Sequence, residues 1–197
     1  MLKWVLIIGA MIVGVVFIVV LSVVGIYNGL VTQEETVKTA WSQVENVYQR
    51  RSDLIPNLVE TVKGYATHEH STFVELANAR ASIGKMDVGS VINDPTKFAE
   101  FQKAQGAISS ALSRLMVVME AYPTLKANEG FLDLQSQLEG TENRITIERQ
   151  RYNDAAKVFD ISIRRFPTNI LAGVFNFKAK AYFEAEQGAK EVPKVKF

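Results

Sequence analysis

A long stretch without any charged residue lies near the amino terminus of this chain, from Trp4 to Gln33. Its apolar core, Val5 to Val24, is about 20 residues long, and at about 1.5 Å per residue a helix of that length spans a hydrocarbon layer of roughly 30 Å. Backbone amides find no water inside lipid, so a single segment must satisfy them internally as a helix. Trp4 and Tyr27 stand where aromatic rings anchor at the two interfaces. The sequence therefore predicts one transmembrane helix.

A cleaved secretory signal is the alternative interpretation, because Lys3 followed by an apolar run resembles the first two regions of a signal peptide. The run exceeds the usual apolar region of about 7–15 residues, and no small-residue cleavage motif follows Val24.

The orientation of the anchor is not decided by its flanking charges. Lys3 and the amino terminus on one side nearly balance Lys38 on the other, so the positive-inside rule gives almost a tie. We expect an uncleaved, single-pass anchor in the cytoplasmic (inner) membrane, with the soluble domain extracytoplasmic.

Composition limits the class of the remaining chain. About 160 residues follow the anchor, enough for one domain with a sizeable core. Twenty-two basic and 21 acidic residues give a net charge of +1, without the basic excess of a nucleic-acid binder, so we expect no nucleic-acid partner. The absence of cysteine excludes disulfides, thiol catalysis and cysteine-type zinc sites.

Apolar residues recur with helical spacing in three long blocks after the anchor. The first block continues from Val37 to Ile83, and Pro56 within it either kinks one helix or separates two. Asp94-Pro95 is an N-cap followed by proline at the first helical position, and it begins the second block, which Pro123 ends. The third block ends at Pro167. The apolar seams comprise Val37, Trp41, Val44, Tyr48, Ile55, Leu58, Val62 and Tyr65; then Phe98, Phe101, Gln105, Ile108, Leu112, Leu115, Met119 and Tyr122; then Phe131, Leu134, Leu138, Ile145, Tyr152, Phe159 and Phe166.

These blocks predict an all-α fold, with a single N-terminal transmembrane helix followed by an elongated antiparallel bundle of three to four long helices. The seams have the heptad-compatible spacing of coiled coils. The predicted segments are an anchor with a juxtamembrane turn at residues 1–29, a helical bundle at 30–167 and an apolar, basic C-terminal segment at 168–197.

Few motifs that carry chemistry occur along the chain. The glycines form no phosphate-binding loop with a lysine. His68-Glu69-His70 resembles a metal motif, but histidines two apart on a helix point about 200° away from each other, so we interpret the triplet as a solvated face. We therefore expect no enzyme activity, no catalytic or metal-ligating residues and no cofactor.

Arg51 falls on an otherwise apolar seam, where a charged side chain needs an acidic partner or a route to solvent. Carboxylates of the third block are suitable partners. The candidate structural polar network consists of Arg50, Arg51, Asp53, Glu142, Glu148 and Arg149. Ordinary surface ion pairing, worth about 0–1 kcal/mol per pair, is the alternative.

Two regions are candidates for self-association. Ala10 and Gly14 stand four apart in the anchor, a small-residue pair that permits close helix approach in lipid. The C-terminal segment carries the aromatic residues Phe175, Phe177, Tyr182 and Phe183. That segment is too short to span a membrane, and it either packs on its own bundle, lies in a lipid interface or contacts a neighbouring subunit.

The chain resembles the LemA family along nearly its whole length. The resemblance is carried by the strings Tyr27-Asn28-Gly29-Leu30-Val31, Ala40-Trp41, Arg50-Arg51-Ser52-Asp53-Leu54-Ile55-Pro56-Asn57-Leu58-Val59, Leu138-Glu139-Gly140-Thr141-Glu142-Asn143-Arg144-Ile145 and Tyr152-Asn153. It implies a bacterial single-pass membrane protein with a helical bundle and no established enzyme activity. Some relatives take part in magnetosome biogenesis, and others are encoded beside membrane metalloproteases, which implies work in the bacterial cell envelope.

Two functions fit these expectations. One is a homo-oligomeric scaffold that organises membrane, with lipid and further copies of the chain as its partners. The alternative is an adaptor that works with a membrane metalloprotease in envelope quality control.

Overall fold

A computed structural model of the chain describes residues 2–65 and 70–184. Within these ranges the chain is helical and contains no strand, as the sequence predicts. The elements are α1 (Leu2–Lys63), α2 (His70–Ile83), a 3₁₀ turn (Val88–Asn93), α3 (Pro95–Met119), α4 (Pro123–Lys126), α5 (Glu129–Arg164) and α6 (Thr168–Val174).

The amino-terminal part of α1 is apolar and uncovered. Its large apolar side chains from Leu6 to Val24 are exposed, except for the half-buried Val23, and Trp4 and Tyr27 at its two ends are exposed as well. By length and composition this helix is able to cross a membrane. An exposed apolar surface of this extent needs lipid or protein to cover it.

Pro56 lies inside α1, so the proline does not separate two helices. Proline has no N–H to donate to the carbonyl oxygen of Ser52, four residues earlier. The Nε of Arg80 on α2 donates to that oxygen instead, at 3.1 Å, and to the Ser52 hydroxyl at 3.2 Å. A side chain of the neighbouring helix α2 thus donates a hydrogen bond to the carbonyl oxygen that Pro56 leaves without its helical donor.

The first apolar block forms two helices rather than one. Helix α1 ends at Lys63, and a turn at Gly64-Tyr65 follows, in which the Tyr65 amide donates to the Val62 carbonyl at 2.9 Å. Glycine loses more conformational freedom in a helix than any other residue, which favours an end there. The additional helix of the bundle, which the sequence left open, is α2, and it packs against α3. This helix is separate from α1 because the chain breaks after Lys63, not because of Pro56.

Helix α3 begins as the sequence predicts. Asp94 is its N-cap, with Oδ1 accepting hydrogen bonds from the amides of Thr96 at 2.9 Å and Lys97 at 3.3 Å, and Pro95 occupies the first turn. All predicted seam positions of α3 from Phe98 to Met119 are buried, whereas Tyr122 is only partly buried.

The seam of α5 is a strict heptad series. Phe131, Leu138, Ile145, Tyr152 and Phe159 are seven residues apart and all are buried. The prediction that Phe166 extends this series is wrong, because α5 ends at Arg164 and the Phe166 ring is 81% exposed.

The described residues form two compact units. The first comprises residues 2–39 and 154–179, and the second comprises 40–65, 70–153 and 180–184. Residues far apart in sequence thus belong to the same unit. In the first unit Leu30 and Val37 are buried, as are Phe159 and Ile163. The core of the second unit contains Leu54, Ile55, Leu58, Val62, Phe73, Leu76, Ile108, Ala111, Leu112, Leu115, Met119, Leu125, Phe131 and Leu138.

Candidate functional site

The second unit has an open groove of about 920 Å³. Helices α1, α3 and α5 line it together with Ala181, Tyr182 and Glu184. These three residues belong to the segment Lys180–Glu184, which we call the C-terminal strap. Tyr48 and Arg51 lie on the α1 side, Glu142 and Arg149 on the α5 side, and Tyr182 on the strap.

Arg51 is only 1% exposed, although it carries a full positive charge. Its Nη1 donates to Glu142 Oε1 at 2.7 Å and to Ser109 Oγ at 2.8 Å. Its Nη2 donates to the Gln105 carbonyl at 3.3 Å and to Gln105 Oε1. The guanidinium carbon also lies 5.1 Å from the centroid of the Tyr48 ring, within the range of cation–π attraction.

A buried guanidinium is stable only where its donors are satisfied and its charge is balanced. Here the α3 side chains accept two of its hydrogen bonds, and Glu142 on α5 supplies the opposite charge. The Glu142 side chain is 41% exposed, so that carboxylate reaches both the guanidinium and water. Arg51 on α1 is thereby fixed to α3 and α5 at a single point.

The C-terminal strap is held by side chains that bond to its backbone. The Asn153 amide group makes two hydrogen bonds with Phe183, donating to its carbonyl at 3.0 Å and accepting from its N–H at 2.9 Å. The Tyr152 hydroxyl donates to the Ala181 carbonyl at 3.0 Å. Gln102 and Arg149 both donate to the Glu184 carbonyl, at 2.9 and 3.0 Å. Because these bonds are made to backbone groups, they fix the path of the strap.

The Phe183 ring completes an aromatic cluster in the second unit. It stacks on Trp41 with centroids 6.0 Å apart, and it meets Phe98 at 4.8 Å and Tyr152 at 5.6 Å. The Arg149 guanidinium carbon lies 4.7 Å from the Phe183 centroid, on the groove side. The strap therefore contributes to the core as well as to the groove.

The structure brings together part of the predicted polar network. Arg51 pairs with Glu142, and Arg149 lines the same groove. Elsewhere, Glu148 accepts from Arg151 at 2.8 Å and Asp53 accepts from Gln49 at 2.8 Å, each within one helix, while Arg50 is exposed. Helix register explains the separation, since adjacent residues on a helix face different directions.

The residues predicted to mediate self-association have different surroundings. Ala10 and Gly14 are exposed on the uncovered part of α1. In the first unit, Phe175 and Phe177 approach Tyr27, with centroids 4.8 and 6.0 Å apart. Tyr182 is half-exposed beside the groove, whereas Phe183 is buried in its own unit and is not available to a neighbouring copy.

Sequence reasoning missed several residues that hold the site together. Gln105 is the one polar residue on the predicted α3 seam, and a single polar residue in an apolar seam indicates a buried polar contact. Ser109 and Gln102 gave no signal, since an isolated polar residue on a helix is ordinarily solvated. Asn153 was noted only as part of the family string Tyr152-Asn153. Its hydrogen bonds with the strap show that it holds that segment in place.

The contacts described at the site are hydrogen bonds, an ion pair and aromatic packing. Among the residues that the structure describes, no group of three or more His, Asp or Glu side chains is placed to hold a metal ion. His68 and Glu69 lie outside the described residues, as does the His70 side chain, so the triplet is not placed.

A helix able to cross a membrane, joined to a packed helical bundle, defines the class of this protein. The chain belongs to the LemA family, whose sequence profile matches residues 40–197. It is 32% identical to magnetosome protein MamQ 2 of Paramagnetospirillum magneticum over 85% of this chain and 67% of the relative. It is 31% identical to magnetosome protein MamQ of Magnetospirillum gryphiswaldense, with the same shares covered. It is 26% identical to protein LemA of Metamycoplasma hominis over 83% of this chain and 71% of that protein.

Proposed function

We propose that this protein is a membrane-anchored, non-catalytic scaffold that organises membrane by self-association. The observation that carries the proposal is α1. This single helix of 62 residues contains both the uncovered apolar segment and side chains that are buried in the second unit, including Trp41, Val44 and Tyr48. An anchor continuous with a folded bundle is suited to holding that bundle at a membrane. In this proposal the anchor crosses the inner membrane of a bacterial envelope once, with the bundle on the extracytoplasmic side.

The relatives support a role at a membrane structure. Two of them are named as magnetosome proteins, and each is covered by this chain over 67% of its length. The groove supports a structural role rather than a catalytic one, because the buried Arg51 guanidinium joins three helices of the same chain.

Self-association is the step that makes an anchored bundle a scaffold. The pair Ala10 and Gly14 permits close approach of two anchors, since packing rather than the hydrophobic effect drives helix association in lipid. Apolar side chains that remain exposed on α3 and α5 offer further contacts: Val117, Leu132, Ile147 and Val158. A cyclic arrangement about the membrane normal lets every anchor enter the same bilayer side by side.

The absence of cysteine from the chain makes disulfide mapping a direct test. Ala10→Cys places a thiol on the small-residue face, and Ile12→Cys, about 200° away around the helix, is the matched control. We expect oxidation in intact membranes to give a disulfide-linked dimer with Ala10→Cys and little with Ile12→Cys.

Chemical crosslinking at native expression separates the possible contacts. Oligomers that persist in an Ala10→Leu/Gly14→Leu variant restrict the contact to the bundle. A monomer alone contradicts the scaffold, and copurification of a membrane metalloprotease in stoichiometric amount favours the adaptor instead.

A further inference from the structure

The short helix α6 exposes apolar side chains within the first unit. Ile170 and Val174, four residues apart on one face, are 57% and 73% exposed, and Phe166 just before the helix is also exposed. Ala172, on the opposite side, is buried. The helix therefore packs by one face and presents an apolar face outward.

That apolar face lies close to the end of the candidate membrane span. The Phe175 ring, directly after α6, lies 4.8 Å from the ring of Tyr27 on α1. Tyr27 is three residues beyond Val24, about 4–5 Å further along the helix. The headgroup layer on each side of the hydrocarbon core is about 5–7 Å thick. An anchor that spans from Val5 to Val24 thus places Tyr27 and Phe175 at headgroup depth.

The charges around α6 match a phospholipid surface. Residues 164–178 contain Arg164, Arg165 and Lys178 and no acidic residue. All three basic side chains are exposed, and Arg164 Nη2 lies 3.9 Å from the buried Asp160 carboxylate. Basic residues next to a span are attracted by anionic headgroups.

We propose that α6 is an interfacial helix, which buries Phe166, Ile170 and Val174 at the boundary between lipid headgroups and acyl chains on the bundle side of the membrane. Arg165 and Lys178 face the lipid phosphates. The inference rests on the membrane anchor of the proposed function, and it adds a second lipid contact, in the plane of the membrane. The surface of this unit then contacts lipid at two places rather than one.

Site-specific fluorescence in vesicles tests this contact in the full chain. Single cysteines at Ile18, Ile170 and Thr39 are labelled with a polarity-sensitive dye, and the protein is reconstituted in phosphatidylcholine–phosphatidylglycerol vesicles with brominated acyl chains. Ile18→Cys reports the span. Thr39→Cys is the exposed control in the same unit, about 22 Å along α1 beyond Val24. We expect quenching in the order Ile18, Ile170, Thr39, with at least about twofold more quenching at 170 than at 39.

Each result separates the inference from the anchor on which it rests. Quenching at 170 no greater than at 39, with strong quenching at 18, overturns the interfacial helix and leaves the anchor intact. Absence of quenching at 18 overturns the anchor itself. A label at 170 that is shielded from both brominated lipid and aqueous iodide shows a protein contact in place of lipid, and this also overturns the inference.

The basic residues are tested in the same vesicles. Arg165→Gln/Lys178→Gln should lower the quenching at 170 towards the value found in phosphatidylcholine alone, because two of the three basic side chains near α6 have lost their charge. Unchanged quenching overturns the assignment of these two residues to the lipid phosphates.

Discussion

At the residue scale, the Arg51 guanidinium connects three helices of the bundle through Gln105, Ser109 and Glu142. We expect Arg51→Ala to lower the free energy of unfolding by about 2–4 kcal/mol. Removing one partner of a buried pair usually costs about 3–5 kcal/mol, and the partial exposure of Glu142 lets water recover some of that loss. Denaturant unfolding in detergent measures the change.

The neighbouring Arg50 provides a matched control, because it has the same side chain and is exposed. Arg50→Ala should change stability by no more than about 0.5 kcal/mol. If Arg51→Ala has an equally small effect, the buried contact does not stabilise the bundle, and the interpretation of Arg51 as a structural link must be dropped.

Phe183 is a second residue whose substitution should lower the stability of the fold, because its side chain is buried. Its ring fills the space between Trp41, Phe98 and Tyr152, so Phe183→Ala should cost about 3–5 kcal/mol through lost burial and a residual cavity. Tyr182→Ala, at the half-exposed neighbouring position, should cost about 1 kcal/mol or less. Equal thermal shifts for the two variants would show that the strap is not part of the core.

At the element scale, Arg80 links α2 to α1 by a hydrogen bond to the Ser52 carbonyl, which Pro56 leaves without its helical donor. We expect Arg80→Ala to cost about 0.5–1.5 kcal/mol in the native sequence, because it leaves the Ser52 carbonyl without its side-chain donor. In a Pro56→Ala background the new amide of residue 56 can donate to that carbonyl, so the same change should cost less. A double-mutant cycle measures the difference, and strictly additive effects would exclude the coupling.

At the scale of the whole molecule, we expect the mature protein to keep its apolar amino-terminal segment. The segment is longer than a typical signal region, and it continues as helix into residues that enter the bundle core. N-terminal sequencing and intact mass of membrane-extracted protein check this. A mature protein that begins beyond Val24 would contradict both the anchor and the lipid contact inferred for α6.

The sequence by itself determined the features that depend on local pattern. The uncharged run predicted the apolar helix, and the heptad spacing predicted the buried faces of α3 and α5. Asp94-Pro95 predicted where α3 begins. Each of these follows from periodicity or capping within a few turns of one helix, so neighbouring residues carry the whole signal. The family strings also predicted correctly which family the chain belongs to.

Only the tertiary structure decided how the helices meet and what the polar residues do. Arg51 finds its partners 54 to 91 residues away, and Asn153 binds a strap 30 residues further on. The structure shows that α1 continues through Pro56, with Arg80 of α2 donating to the Ser52 carbonyl, and that Phe166 is exposed because α5 ends before it. These outcomes depend on the register between helices, and that register is set by packing of side chains from distant parts of the chain rather than by any local pattern.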